Sequence, residues 1–100
     1  MIVLEDADLE RAANGAAWAG YQNAGQSCGG VERVYVQARV YDEFLRLLTE
    51  KTRALRHGVG QGFDVDMGCM TTQGQLNTVK RHVDDALAKG ARIVAQSRPV

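Results

Sequence analysis

The sequence predicts an α/β fold in which parallel strands alternate with helices. Three observations carry that reading. Short apolar or β-branched runs stand at Ile2–Leu4, Glu32–Gln37 and Ala91–Ala95. Three longer segments, with apolar residues at helical spacing, separate them. Each helical segment is bounded by residues that start or stop a helix. Strand and helix patterns that take turns along a chain imply a layered arrangement with parallel strands.

The elements follow in order. Ile2-Val3-Leu4 is an apolar run that suits a buried strand, and Glu5-Asp6-Ala7-Asp8 ends it. Asp8 can accept a hydrogen bond from the first free N–H groups of a helix, so it is the predicted N-cap. Leu9, Ala12, Ala13, Ala16, Ala17 and Gly20 then line one helical face with unusually small residues, which suits close packing. The β-branched pattern around Val34 and Val36 predicts a second strand over 32–37. Tyr41, Phe44, Leu45, Leu48, Thr52 and Leu55 mark an amphipathic second helix. Arg53, Arg56 and His57 crowd its expected last turn, with Gly58 as the residue just past its end. A loop with four glycines is expected over 58–72. Thr72 and Gln75 have capping-box spacing, and Leu76, Val79, Val83, Ala86 and Leu87 give the third helix its apolar face. Gly90 ends that helix, and Ala91–Ala95 reads as the last strand.

At 100 residues the chain is long enough for one small domain, with 45% hydrophobic residues to build a core. Twelve basic side chains balance twelve acidic ones, so the footprint expected of a nucleic-acid partner is missing. No apolar stretch is long enough to cross a bilayer, and no polybasic run suggests a membrane surface. Met1–Leu4 is followed at once by Glu5, Asp6 and Asp8, unlike a secretory signal, and two distant cysteines make no disulfide framework. A cytoplasmic setting is therefore expected. His57, His82, Cys28 and Cys69 are scattered without ligand-pair spacing, so no metal site is expected.

Asn23-Ala24-Gly25-Gln26-Ser27-Cys28-Gly29-Gly30 is the segment richest in chemistry. It sets one cysteine in a glycine-rich bend between a helix and a strand. Glycines let the backbone turn sharply and let a substrate approach. Free N–H groups there can favour a thiolate and hold an oxyanion. A lone Cys beside glycines can equally be a small buried hydrophobe.

The residues Tyr21-Gln22-Asn23-Ala24-Gly25-Gln26-Ser27-Cys28-Gly29-Gly30-Val31-Glu32-Arg33 resemble the active-site cysteine signature of the NAD(P)-dependent aldehyde dehydrogenases. The Gly-Gln-x-Cys core, with an aromatic before it and an Arg after it, is specific to that family. Ile2–Leu9, Tyr41–Phe44, Asp66-Met67-Gly68, His82–Ala86 and Lys89-Gly90-Ala91 resemble its flanking segments, so the likeness runs along nearly the whole chain. It implies that residues 1–100 are a partial catalytic domain, without the cofactor domain, the general-base segment or the oligomerisation arm of a several-fold longer enzyme. It further implies that Cys28 is the catalytic nucleophile. The thiolate attacks an aldehyde, hydride leaves to NAD or NADP, and the thioester is hydrolysed to a carboxylate. Glu5 and Glu10 do not stand in the family's general-base motif, and Asn23 is not the counterpart of its oxyanion-hole Asn.

On the same resemblance Gln22, Ser27 and Gly29 flank the nucleophile as substrate-binding candidates, suited to a short or polar aldehyde. Gln75 is the candidate cofactor contact, with capping of the third helix as its other reading. The implied partner is a small aldehyde, and the implied parent is a homodimer or homotetramer related to succinate-semialdehyde dehydrogenases. The isolated chain is expected to be inactive. Cys69 is either an incidental thiol or a redox partner for Cys28, which requires Cα atoms within roughly 7 Å. A second function class stays open: a non-catalytic α/β interaction module, binding through the small-residue helix face and Trp18.

Overall fold

The computed structural model describes residues 1–60 and 62–100; residue 61 of the predicted loop lies outside it. Two strand–helix–strand units are joined by a long helix. The first unit comprises β1 (Ile2–Val3), α1 (Leu9–Tyr21), a tight turn at Gln22–Gly25, and β2 (Tyr35–Val36). Helix α2 (Ala38–Ala54) leads to the second: β3 (Arg56–His57), α3 (Gln73–Ala88) and β4 (Arg98–Pro99). β1 pairs with β2 and β3 with β4, both in parallel, with Ile2 opposite Tyr35 and Arg56 opposite Arg98. The α/β class with parallel strands is therefore the observed one.

The first helix forms as its sequence dictates. The Asp8 carboxylate accepts from the Arg11 N–H at 3.0 Å, satisfying one of the free donors of the first turn. The small face is buried against α2: Ala13 is completely covered and Ala16 nearly so. Alanine at both positions lets the helices come close enough for Phe44, itself 3% exposed, to fill the space between them and Val3. Ala7, Leu9, Ala12, Val34, Val36, Val40, Leu47 and Leu48 pack around this centre.

Helix α2 starts at Ala38, three residues before the first periodic apolar residue, Tyr41. Gln37 occupies its N-cap position without capping it, because the Gln37 side-chain Oε1 accepts from the Glu5 N–H instead. The helix stops at Ala54, and Leu55 turns into extended backbone. Arg56 and His57 are thus not a helical last turn but β3, and Gly58 is not the residue after a helix end. The physical reason is tertiary. Leu55 O accepts from Arg98 N at 3.0 Å, His57 O accepts from Val100 N at 3.0 Å, and Gly58 N donates to Met67 O at 3.1 Å. These ladder bonds pull the chain out of the helix.

The last strand also differs from expectation. Residues 91–95 form no strand, and Ile93 and Val94 are largely exposed. The strand lies at Arg98–Pro99 instead. Proline is tolerated there because it is at a short edge, where its missing N–H breaks no ladder bond. Helix α3 begins as predicted, with Thr72 Oγ1 accepting from Gln75 N at 3.1 Å. Gly90 follows its end in the left-handed region at φ 94°, the conformation that ends a helix most easily with glycine. None of the α3 residues is buried.

One ion pair organises the loop over 58–72. Arg56 grips Asp66 with two parallel bonds, Nε to Oδ2 at 3.0 Å and Nη2 to Oδ1 at 2.8 Å. Arg56 N also donates to Asp66 Oδ2 at 2.8 Å, and Arg56 Nη2 to Phe63 O at 3.0 Å. Hydrogen bonds from the Arg56 side chain and backbone hold the Asp66 carboxyl at about 2, below its ordinary 3.8. A depressed carboxylate stabilises the fold above its unfolded-state value and loses that contribution as pH falls through the folded value. Asp66→Asn is therefore expected to lower urea-unfolding stability at neutral pH. The gap from the parent protein is expected to shrink as pH falls from 3.8 toward about 2.

Candidate active site

The end of α1 is fixed before the cysteine loop begins. Thr52 is buried in α2, and its hydroxyl donates to Leu48 O at 2.8 Å. Its one proton is thereby used, so the Tyr21 O–H donates to Thr52 Oγ1, at 3.2 Å. The aromatic residue that opens the signature is thus an anchor between the two helices. Gln22 N–H closes the helix on Trp18 O.

The chain then turns through three consecutive left-handed residues: Asn23 (φ 52°), Ala24 (φ 56°) and Gly25 (φ 76°). Glycine adopts this freely and asparagine tolerates it, but alanine carries a steric cost of about 1–2 kcal/mol. Compensating bonds hold the turn. Asn23 Nδ2 donates to Gln26 O at 3.1 Å, Gln26 Nε2 donates to Asn23 O at 2.9 Å, and Gln26 N donates to the same oxygen at 3.1 Å. The Gln26 side-chain Oε1 faces the other way and accepts from both Thr71 N and Thr71 Oγ1, each at 2.9 Å.

Cys28 lies at the tip of the following bend and is exposed. Gly30 N donates back to Ser27 O at 3.1 Å, and Val31 N donates to Ala19 O at 3.1 Å, returning the chain to the helix it left. A side chain at Gly30 would sit 3.1 Å from Ser27 O and 3.4 Å from Ala19 O, so glycine permits this close return. Among the described residues nothing accepts from Cys28 N–H or Gly29 N–H. An exposed sulfur beside unpaired backbone donors can add to a carbonyl carbon and leave the developing oxyanion within reach of an N–H.

The sequence-predicted residues are distributed as follows. Cys28 opens on a shallow hollow of about 440 Å³ whose other walls include Gly30, Glu32, Arg33 and Tyr35. Ser27 and Gly29 flank it in the bend. Gln22 instead lines a separate hollow with Trp18, Lys51 and Asp66. Gln75 sits exposed on the first turn of α3, where its N–H serves the Thr72 cap. Cys69 lines a third, mainly apolar groove of about 710 Å³ with Gly25, Leu76 and Val79, and both cysteines are free thiols. Glu10 is paired with Lys51, and Glu5 with Arg39 at 3.4 Å. Trp18 is 69% exposed, whereas Ala13 and Ala16 at the centre of the small-residue face are buried. No three metal-ligating side chains gather among the described residues, and no helix there is long and apolar enough to cross a membrane. Gln75 lines none of these three hollows.

Sequence reasoning placed Tyr21, Asn23 and Gln26 in the signature without a structural role of their own and passed over Thr71. The Asn-x-x-Gln spacing between a helical and a strand pattern is the signal for a side-chain-closed turn.

The aldehyde dehydrogenase family profile matches residues 1–99. The chain belongs to the aldehyde dehydrogenase family. A Mycobacterium ulcerans protein provisionally named succinate-semialdehyde dehydrogenase [NADP(+)] 2 is 44% identical, over 99% of this chain and 20% of its own length. An aldehyde dehydrogenase structure from Brucella melitensis biovar abortus 2308 superposes with a TM-score of 0.87 at 41% identity, covering 95% of this chain and 20% of that one. A betaine aldehyde dehydrogenase from Staphylococcus aureus, solved with NAD+, gives 0.89 at 33% identity, covering 94% and 19%. The chain thus spans about 20% of the length of the relatives it matches.

Relieving the strained turn tests its description. Ala24→Gly is expected to raise stability by roughly 1 kcal/mol, read from urea unfolding, because the left-handed backbone is retained at lower steric cost.

Proposed function

We propose that this chain is the cysteine-bearing part of the catalytic domain of an NAD(P)-dependent aldehyde dehydrogenase, with Cys28 as nucleophile. One observation carries the reading: Cys28 is exposed at the tip of a doubly tethered bend, beside N–H groups from which none of the described residues accepts. The Cys28 thiolate adds to the aldehyde carbon, and the C=O electron pair moves to oxygen. That oxyanion accepts from the Cys28 N–H. Bound NAD(P)+ would supply the acceptor for the hydride that leaves the adduct carbon, which would leave a thioester on the Cys28 sulfur. Sulfur serves both stages, as a strong nucleophile toward the carbonyl and as a fair leaving group when water releases the carboxylate. Ser27 and Gly29 border the carbonyl. The hollow around Cys28 is shallow and bears Glu32 and Arg33, which suits a short, polar aldehyde. Gln22 and Gln75 stand further out, as contacts completed by the rest of the enzyme. The family likeness to proteins named for succinate semialdehyde supports that substrate class, and a homodimer or homotetramer of the whole enzyme accords with the family.

The test is direct. Cys28 is expected to react with iodoacetamide faster than Cys69, as read by mass spectrometry of the two peptides. Equal or slower reaction of Cys28 would remove the preformed nucleophile. The chain alone is expected to reduce no NAD(P)+ in the presence of an aldehyde, and cofactor-dependent turnover would show that the described residues suffice for the whole reaction.

A further inference from the structure

We propose that Gln26 is a positioning residue for Cys28, acting as a latch between the cysteine loop and the start of α3. The proposal rests on the reading of Cys28 as nucleophile. Every polar atom of the Gln26 side chain is engaged: its oxygen takes two hydrogen bonds from Thr71, and its nitrogen gives one to Asn23 O. Thr71 lies 45 residues away in sequence, immediately before the Thr72 cap of α3. Among the described residues these are the hydrogen bonds that join the loop at 22–30 to the segment before α3.

Cys28 is two residues beyond the latch, and two residues of chain reach at most ~7 Å. On its other side Gly30 and Val31 are tied to Ser27 O and Ala19 O. The sulfur is therefore held on two short tethers, and only the Gln26 tether reaches outside the first strand–helix–strand unit. An amide is the group for this place. It can accept twice from a backbone and a hydroxyl donor while donating to a carbonyl on its other face. The same latch sets the loop against the helix whose first turn carries Gln75, so one side chain relates the nucleophile to the candidate cofactor contact.

The experiment uses the full chain carrying Cys69→Ser, with N-acetylcysteine as the reference thiol and far-UV circular dichroism as the check on folding. Gln26→Met, which keeps length but loses every hydrogen bond, is expected to slow alkylation of Cys28 by iodoacetamide at least about threefold relative to the reference. Gln26→Glu, which keeps the acceptor for Thr71, is expected to recover most of the rate. Hydrogen exchange at the Thr71 amide is expected to quicken in Gln26→Met and not in Gln26→Glu. An unchanged or faster Cys28 rate in folded Gln26→Met overturns the proposal, as does unchanged Thr71 exchange. Should Gln26→Met not fold, Thr71→Val, which removes one of the two bonds, is judged by the same rate criterion. A parent protein whose Cys28 reacts no faster than N-acetylcysteine instead defeats the nucleophile reading, while the Thr71 exchange result still judges the latch.

Discussion

The close packing of α1 on α2 is the constraint from which the remaining geometry follows. Ala13 and Ala16 keep the helices near each other, and Phe44 fills the space they leave. That contact fixes the end of α1, and the Tyr21–Thr52 hydrogen bond fixes it again in rotation. The cysteine loop departs from this end and returns to it, because Val31 N donates to Ala19 O. An excursion whose two feet stand on one helical turn has little freedom to drift. The position of the sulfur is thus inherited from apolar contacts made by residues that carry no chemistry.

A second line of restraint comes from the other side. Asp66, gripped by Arg56, brings the loop back alongside β3, with Asp66 N and Met67 N both donating to Arg56 O. Five residues beyond Asp66 the chain presents Thr71 to Gln26. Two polar devices with different chemistry, a charged fork and a neutral amide, therefore act in series. Neither lies in the core, yet together they determine which segment meets the cysteine loop.

What was legible in the sequence was what local chemistry decides. Asp8, Thr72 and Gly90 act on backbone within a few residues of themselves, and their roles follow from side-chain type alone. The small face of α1 was equally readable, since helical periodicity is a local property. Strands of two residues are another matter. Arg56–His57 and Arg98–Pro99 have no alternating pattern, and only partners distant in sequence make them strands. Basic residues there looked like a helix end because nothing nearby revealed the ladder that competes with the helix. The apolar run at 91–95 drew the last strand too early for the same reason. In the site, a cysteine between glycines announced itself, as did its family. The service of Gln26 to Thr71 did not, because a contact spanning 45 residues leaves no periodic trace.

The absence of buried residues in α3 has an energetic consequence. Helix α1, α2 and the first strand pair share one apolar centre, whereas α3 contributes nothing to it. A helix held by a cap and a few surface bonds lies at the low end of the local stability scale, and the segment around Phe44 at the high end. Within the described residues α3 is accordingly expected to open before the α1–α2 centre does, and the cysteine loop stands between the two. Its inner footing, Val31 N on Ala19 O, stays in place when the outer helix frays, so loosening of α3 releases the Gln26–Thr71 tether and leaves the sulfur on one of its two supports.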